Sequence, residues 1–263
     1  MSEIERNRGG LAYSDIGAGD PALVLIHGWC CNRDHFRLQA DHLKQQHRVL
    51  SVDLPGHGGS AAPADGYSIP VLATEIAALI RELALDRPVV VGHSLGGLIA
   101  LELAATHPEA VRAIVMVDPA PLAKPEPLRA ALSGLIKSLE AGDEGPRRGF
   151  IERMFLPTSD PGLRARVIEE MCSVPAPVAA AVMRATLEYD GVAAAARVGV
   201  PALHVATASP RNAPQQMSEW IPGLVTGVVV GTGHFAMLEA PAQVNDMIAR
   251  FVAITVPTEA VVG

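Results

Sequence analysis

Cysteine is scarce in this sequence and poorly placed for cross-linking. The three present are Cys30, Cys31 and Cys172, an odd number, and the adjacency of the first two suits neither ordinary disulfide geometry nor a zinc site. Free thiols in a reducing compartment are expected. Neither Cys30 nor Cys31 has the neighbouring signals that a thiol nucleophile needs, so packing beside a pocket is the expected role. Clustered basic charge is also lacking: 21 Lys and Arg stand against 28 Asp and Glu, a formal charge of −7, and the cations are scattered. That excludes an electrostatic nucleic-acid footprint. Long apolar runs are absent too. The longest, such as Pro88 to Val91 and Ala113 to Val117, fall far short of a membrane span, and Met1 to Gly10 lacks the basic start and apolar stretch of a secretory signal. The expectation is a soluble cytoplasmic protein whose mature chain begins where the sequence does, monomeric or homodimeric, acting on a small molecule.

With 263 residues, 49% of them hydrophobic, the chain is large enough for one sizeable core. Short apolar runs read as buried strands: Ala22 to His27, Arg48 to Asp53, Pro88 to Gly92, Val111 to Asp118, Pro201 to Thr207 and Thr226 to Val230. Helical patterns lie between them. Ile69 to Leu85 puts Leu72, Ile76, Leu79, Ile80 and Leu83 on one stripe, and Gly96 to Thr106 runs in Leu and Ala until His107-Pro108. This alternation predicts an α/β fold, a mostly parallel sheet with helices on both faces. It lapses between Pro119 and about Val198. There, Leu128 to Glu140, Arg147 to Phe155, Leu163 to Cys172 and Pro177 to Leu187 are compatible with helices separated by Gly and Pro breakers. The expected organisation is a core of residues 1–120 and 199–255, a helical cap inserted at 121–198, and a flexible tail at 256–263.

Gly92-His93-Ser94-Leu95-Gly96 stands between the apolar strand Pro88 to Val91 and the helical pattern beginning at Gly96. This is the strand-turn-helix setting of a G-x-S-x-G nucleophile elbow, in which glycines permit a sharp turn and the helix N-terminus favours developing negative charge. Three further segments follow the same order around it: His27-Gly28-Trp29, Asp53-Leu54-Pro55-Gly56-His57-Gly58-Gly59-Ser60, and Gly231-Thr232-Gly233-His234-Phe235. Together they resemble the α/β-hydrolase superfamily from about Leu11 to Val252, apart from the cap, which would follow the strand Val111 to Val117, the family's sixth. The resemblance implies a nucleophile at Ser94, a general base at His234, and an oxyanion hole from the backbone amides of Trp29 and Leu95, each such donor contributing about 3 kcal/mol. It implies no cofactor and no metal. His27 is expected to be a buried structural histidine, and the Asp53 to Ser60 turn a pocket wall.

The sequence departs from the family pattern at the triad acid. After the strand Pro201 to Thr207, no Asp or Glu occurs until Glu219, whereas the family normally carries its carboxylate there. Asp118 ends the preceding strand, where some branches, including several haloalkane dehalogenases and cofactor-free dioxygenases, carry the acid; the resemblance assigns that role to Asp118. A serine nucleophile disfavours dehalogenation, which needs a carboxylate there. Hydrolysis of a carboxylic ester or lactone is the leading expectation, with Met154, Phe155, Met171, Cys172, Met183 and Phe235 as candidate pocket residues for an apolar group. Two alternatives stand beside it: a cofactor-free dioxygenase of a heteroaromatic, and a small-molecule receptor on a hydrolase scaffold.

Overall fold

The computed structural model describes residues 4–8, 10–63 and 66–255. The tail expected at 256–263 lies outside them. Eight strands form one sheet: β1 (Ile4–Arg8), β2 (Leu11–Gly17), β3 (Leu23–Ile26), β4 (Arg48–Val52), β5 (Val89–His93), β6 (Ala113–Val117), β7 (Ala202–Ala206) and β8 (Val225–Val228). Their spatial order is β1-β2-β4-β3-β5-β6-β7-β8. β1 pairs antiparallel with β2 and β2 antiparallel with β4, while every pairing from β4 through β8 is parallel.

The central strands β3, β5, β6 and β7 are buried along their whole length, which explains why they read as unbroken apolar runs: both faces are covered. The helices α1 (Arg37–Leu43), α2 (Ile69–Glu82), α3 (Leu95–Thr106), α9 (Pro214–Trp220), α10 (Ala236–Glu239) and α11 (Pro241–Thr255) belong to this core. Ser68 starts α2 by accepting a hydrogen bond from the Val71 amide, with Pro70 in the first turn. α3 is buried on nearly all sides, so its composition shows little amphipathicity.

Strand order reverses beside β3. The chain leaves β3 for β4 on one side and returns to β5 on the other, so the carboxyl ends of β3 and β5 flank a switch point, where α/β sheets form binding crevices. His27-Gly28-Trp29 follows β3 and Ser94 follows β5, one on each side of that crevice.

Between β6 and β7 the described chain is helical: α4 (Glu126–Glu140), α5 (Gly145–Glu152), α6 (Pro161–Cys172), α7 (Ala176–Glu188) and α8 (Gly191–Ala195). Asp160 and Asp190 cap α6 and α8. α4 packs on α7 and α5 on α6, whereas α8 packs on α3 of the core.

Two expectations need correction. The antiparallel β1-β2 pair was not anticipated, because Leu11 to Gly17 mixes Ser14 and Asp15 with its apolar residues. The segment Thr226 to Val230, read as a buried strand, overlaps the edge strand β8, which ends at Val228 and pairs on one side with β7; Val228 is 51% exposed and Val230, beyond the strand, 76%. No helix among the described residues is long and apolar enough to cross a membrane.

Buried Arg147 of α5 ties the helices between β6 and β7 to the crevice. Its guanidinium donates to the carbonyl oxygens of Met171 and Val174, reaches Cys30 Sγ at 3.4 Å, and lies 5.8 Å from the centroid of the Trp29 ring. Removing it leaves buried carbonyls without donors, each costing about 1–3 kcal/mol. Arg147→Ala should therefore lower unfolding free energy by roughly 2–4 kcal/mol in urea titrations.

Candidate active site

Ser94 sits between β5 and α3 with φ 52° and ψ −113°, a conformation that non-glycine residues rarely adopt and that costs about 1–3 kcal/mol. The flanking glycines make the turn sterically possible. A Cβ on Gly92 would lie 2.0 Å from the Gly96 carbonyl oxygen, and one on Gly96 would lie 2.1 Å from that of Ile26. The elbow thus packs backbone to backbone against the end of β3, bringing Ser94 beside the Gly28-Trp29 turn.

His234 is buried in the loop before α10, and its Nδ1 lies 2.7 Å from Asp118 Oδ2. Since the carboxylate accepts, Nδ1 carries the proton and Nε2 is left as the basic nitrogen. Burial pushes the His234 pKa below its ordinary value, while the hydrogen bond and charge of Asp118 oppose that shift. Asp118 is itself wholly buried and follows β6 at φ 38°. Its other oxygen, Oδ1, accepts from the Arg211 main-chain amide at 3.0 Å.

The loop after β7, empty of carboxylates, therefore serves as a clamp on the residue that follows β6. Asn212 strengthens the clamp: its side chain accepts from the Leu122 amide at 2.8 Å and donates to the carbonyl oxygens of Pro119 and Ala120. Neither Arg211 nor Asn212 was anticipated: the Arg211 contact is made by a backbone donor, which leaves no residue-type signature, and the Asn212 side chain bonds main-chain atoms some 90 residues away in the chain.

His93, the second residue of the pentapeptide, is buried, and its Nε2 donates to the His234 carbonyl oxygen at 3.0 Å. Burial holds His93 neutral, well below the ordinary histidine pKa. The His234 amide donates to the Met154 carbonyl at 2.8 Å, and Glu239 accepts from the Gly233 amide. The loop is thus held by the elbow, the turn after α5 and α10 together.

Among the described residues, the amides of Trp29 and Leu95 have no hydrogen-bond acceptor in the protein. Leu95 is the first residue of α3, where such orphan amides are inherent to a helix start. The Trp29 indole donates to the Ala179 carbonyl at 2.8 Å, fixing its side chain under α7. His27 and His57 are neutral struts behind this turn: His27 accepts from the Leu54 amide and His57 from the Cys30 amide, and burial lowers both pKa values. Burial pushes the Cys30 thiol up to about 12, so it remains protonated.

Ser94, Leu95, Trp29 and His234 border one pocket of about 550 Å³, counting its open mouth, whose wall from the segment between β6 and β7 includes Leu128, Leu132, Phe150, Met154 and Met183. No hydrogen bond joins Ser94 to His234 in this structure; such contacts are often long without substrate. A smaller recess behind Ser94 and His234 is bordered by Met171 and Phe235.

Two candidate pocket residues are elsewhere. Phe155 turns away and stacks on Phe235 with ring centroids 4.9 Å apart, and Cys172 at the end of α6 borders neither space. Leu128, Leu132, Phe150, Thr186 and Arg211 line the pocket without having been anticipated. Among the described residues, no group of three or more His, Cys, Asp or Glu is arranged to hold a metal ion.

Comparisons with known proteins agree with this architecture. A family model described as "Alpha/beta hydrolase family" matches residues 23–247. The "AB hydrolase superfamily protein YisY" of Bacillus subtilis (strain 168) is 38% identical over 98 residues, 37% of this chain and 36% of that protein. The matches to curated relatives span about a third of those relatives' length, 36%, 29% and 33% for three of them. Among solved structures, an esterase from Thermogutta terrifontis superposes with a TM-score of 0.83 at 21% identity, covering 97% of this chain and 99% of that one. The enol-lactonase from Burkholderia xenovorans LB400 superposes with a TM-score of 0.84 at 21% identity, covering 95% and 100%.

Proposed function

The chain belongs to the alpha/beta hydrolase family, and from that premise we propose that it is a serine hydrolase cleaving a carboxylic ester or lactone of a small to medium, largely apolar substrate. The observation that carries this reading is the buried 2.7 Å contact between His234 and Asp118, set on the pocket into which Ser94 faces. Fold neighbours that are an esterase and an enol-lactonase are consistent with it.

In the proposed reaction Ser94 Oγ attacks the substrate carbonyl while His234 Nε2 takes its proton, and Asp118 stabilises the imidazolium that results. The amides of Trp29 and Leu95 receive the oxyanion in positions that need no reorganisation. The imidazolium then protonates the departing alcohol. Water, deprotonated by His234, attacks the acyl-enzyme, and collapse returns Ser94 and releases the acid. A lactone follows the same course, except that its alcohol stays tethered to the released acid.

His234 must be neutral to act as base. Its pKa is lowered, so kcat/KM should rise with pH through a step centred below the ordinary histidine value of 6.5 and stay level through neutrality. A step above that value would contradict the assigned base. The substrate class is tested with 4-nitrophenyl esters of increasing acyl length, using wild type and Ser94→Ala. Hydrolysis lost in the variant supports the reading. Oxygen uptake with a heteroaromatic that survives the substitution would favour a dioxygenase, and saturable binding without turnover a receptor.

A further inference from the structure

The pocket wall contains one permanent charge that catalysis as proposed does not use. Arg211 borders the pocket, and no Asp or Glu does so among the described residues. Its main-chain amide is committed to Asp118, yet among the described residues its guanidinium makes no hydrogen bond or ion pair. Asp118 is close enough to be felt electrostatically, but its two oxygens are already engaged by His234 Nδ1 and the Arg211 amide. The cation is also partly desolvated, since burial lowers its pKa from the ordinary arginine value.

A half-buried guanidinium with no hydrogen bond or ion pair is costly, and the charge of Asp118 offsets only part of its desolvation. Its loop is nevertheless rigidly held, through the Arg211 amide on Asp118 and the three hydrogen bonds of Asn212. Carried on a held loop, without a hydrogen-bond partner for its guanidinium and bordering the pocket that holds Ser94, Arg211 is placed to receive an anion. A planar five-donor fork matches a carboxylate with two parallel hydrogen bonds. One guanidinium suits a single negative charge better than a doubly charged phosphate, and the pocket presents no second cation.

We propose that Arg211 is a specificity-determining residue that binds a carboxylate carried by the substrate, so that the preferred substrate is a singly anionic ester or lactone, apolar apart from that group. The inference rests on the serine-hydrolase reading of the same pocket. It assigns the anion to the substrate's periphery and leaves the reacting carbonyl to Ser94.

The test compares three chromogenic substrates of matched size: 4-nitrophenyl hexanoate, which is neutral; mono-4-nitrophenyl adipate, with a carboxylate on the acyl chain; and the hexanoate ester of 5-hydroxy-2-nitrobenzoic acid, with a carboxylate on the leaving group. The readout is the ratio of kcat/KM for each anionic ester to that for the neutral one, in wild type, Arg211→Met and Arg211→Lys. A charge-assisted pair of this kind corresponds to about 10- to 100-fold in that ratio. At least one anionic ester should be preferred by wild type. That preference should fall by about 10- to 100-fold in Arg211→Met and be partly kept in Arg211→Lys, with the change mainly in KM. If the ratios are the same in all three proteins, the guanidinium has no part in recognition and the proposal is wrong.

Failure of the hydrolase reading has a different signature: either Ser94→Ala leaves turnover intact, or wild type hydrolyses none of the three. Arg211 is then judged by calorimetric titration of hexanoate, a monoanion, into the wild type and Arg211→Met. Saturable binding that Arg211→Met abolishes supports the anion site. Binding that is absent, or equal in the two, overturns it. Preference for inorganic phosphate over hexanoate in the same titration would also overturn the assignment to a carboxylate.

Discussion

Ser94→Ala should lower kcat for a 4-nitrophenyl ester by roughly 10⁵- to 10⁶-fold, with an unfolding midpoint no lower than that of the wild type. The size follows from the covalent route. Without Oγ no acyl-enzyme forms, and what remains is substrate binding together with the Trp29 and Leu95 amides acting on direct attack by water. The stability expectation follows from the backbone. Ser94 occupies a positive-φ turn whatever its side chain, and the turn is held by main-chain bonds: its amide donates to Val117 and its carbonyl accepts from Ala120. Alanine inherits both, so loss of rate with retained stability, read by burst kinetics and urea denaturation, is the expected pair of results. Retention of more than a hundredth of the wild-type rate would remove Ser94 from the chemistry.

Asp118→Asn should cost about 10⁴-fold in kcat while leaving the fold intact. The reason is a proton in the wrong place. The asparagine oxygen can still accept from the Arg211 amide, as Oδ1 does now, which turns the NH₂ group toward His234 Nδ1. Two donors then face each other, so the imidazole must move its proton to Nε2, and no basic nitrogen is left for Ser94. The buried imidazolium also loses its counter-charge, which lowers the His234 pKa further, so the acid limb of the residual activity should move to lower pH. Arg211→Met, which keeps the main-chain amide, should not reproduce this loss of kcat, because the role proposed for its side chain is in substrate binding and not in holding His234.

The fold was largely legible because its central strands are covered on both faces and therefore appear as short unbroken apolar runs. β1 and β2 escaped because an antiparallel pair at a sheet margin needs no such run. Ser94 and His234 stand in turns whose glycines record a steric demand in the sequence itself, and Asp118 drew notice because Ala208 to Asn212 offers no carboxylate.

The pocket wall was less legible, and the pair Met154 and Phe155 shows why. Both are apolar and adjacent in the turn after α5, yet Met154 borders the pocket and Phe155 stacks on Phe235. Composition cannot separate neighbours whose side chains diverge in a turn. Arg211 and His93 were invisible for another reason: their contacts cross 93 and 141 residues of chain and go through main-chain atoms.

Activation of Ser94 by His234 and Asp118, as proposed, can be tested without a natural substrate. The measurement is the rate of phosphonylation by an alkyl fluorophosphonate as a function of pH, with the adduct located by peptide mass spectrometry, for wild type and Asp118→Asn. The account predicts a single adduct on Ser94, a rate rising through one step below the ordinary histidine value, and a loss of about 10³- to 10⁴-fold in the variant. An adduct on another residue, or equal rates in the two proteins, would contradict it.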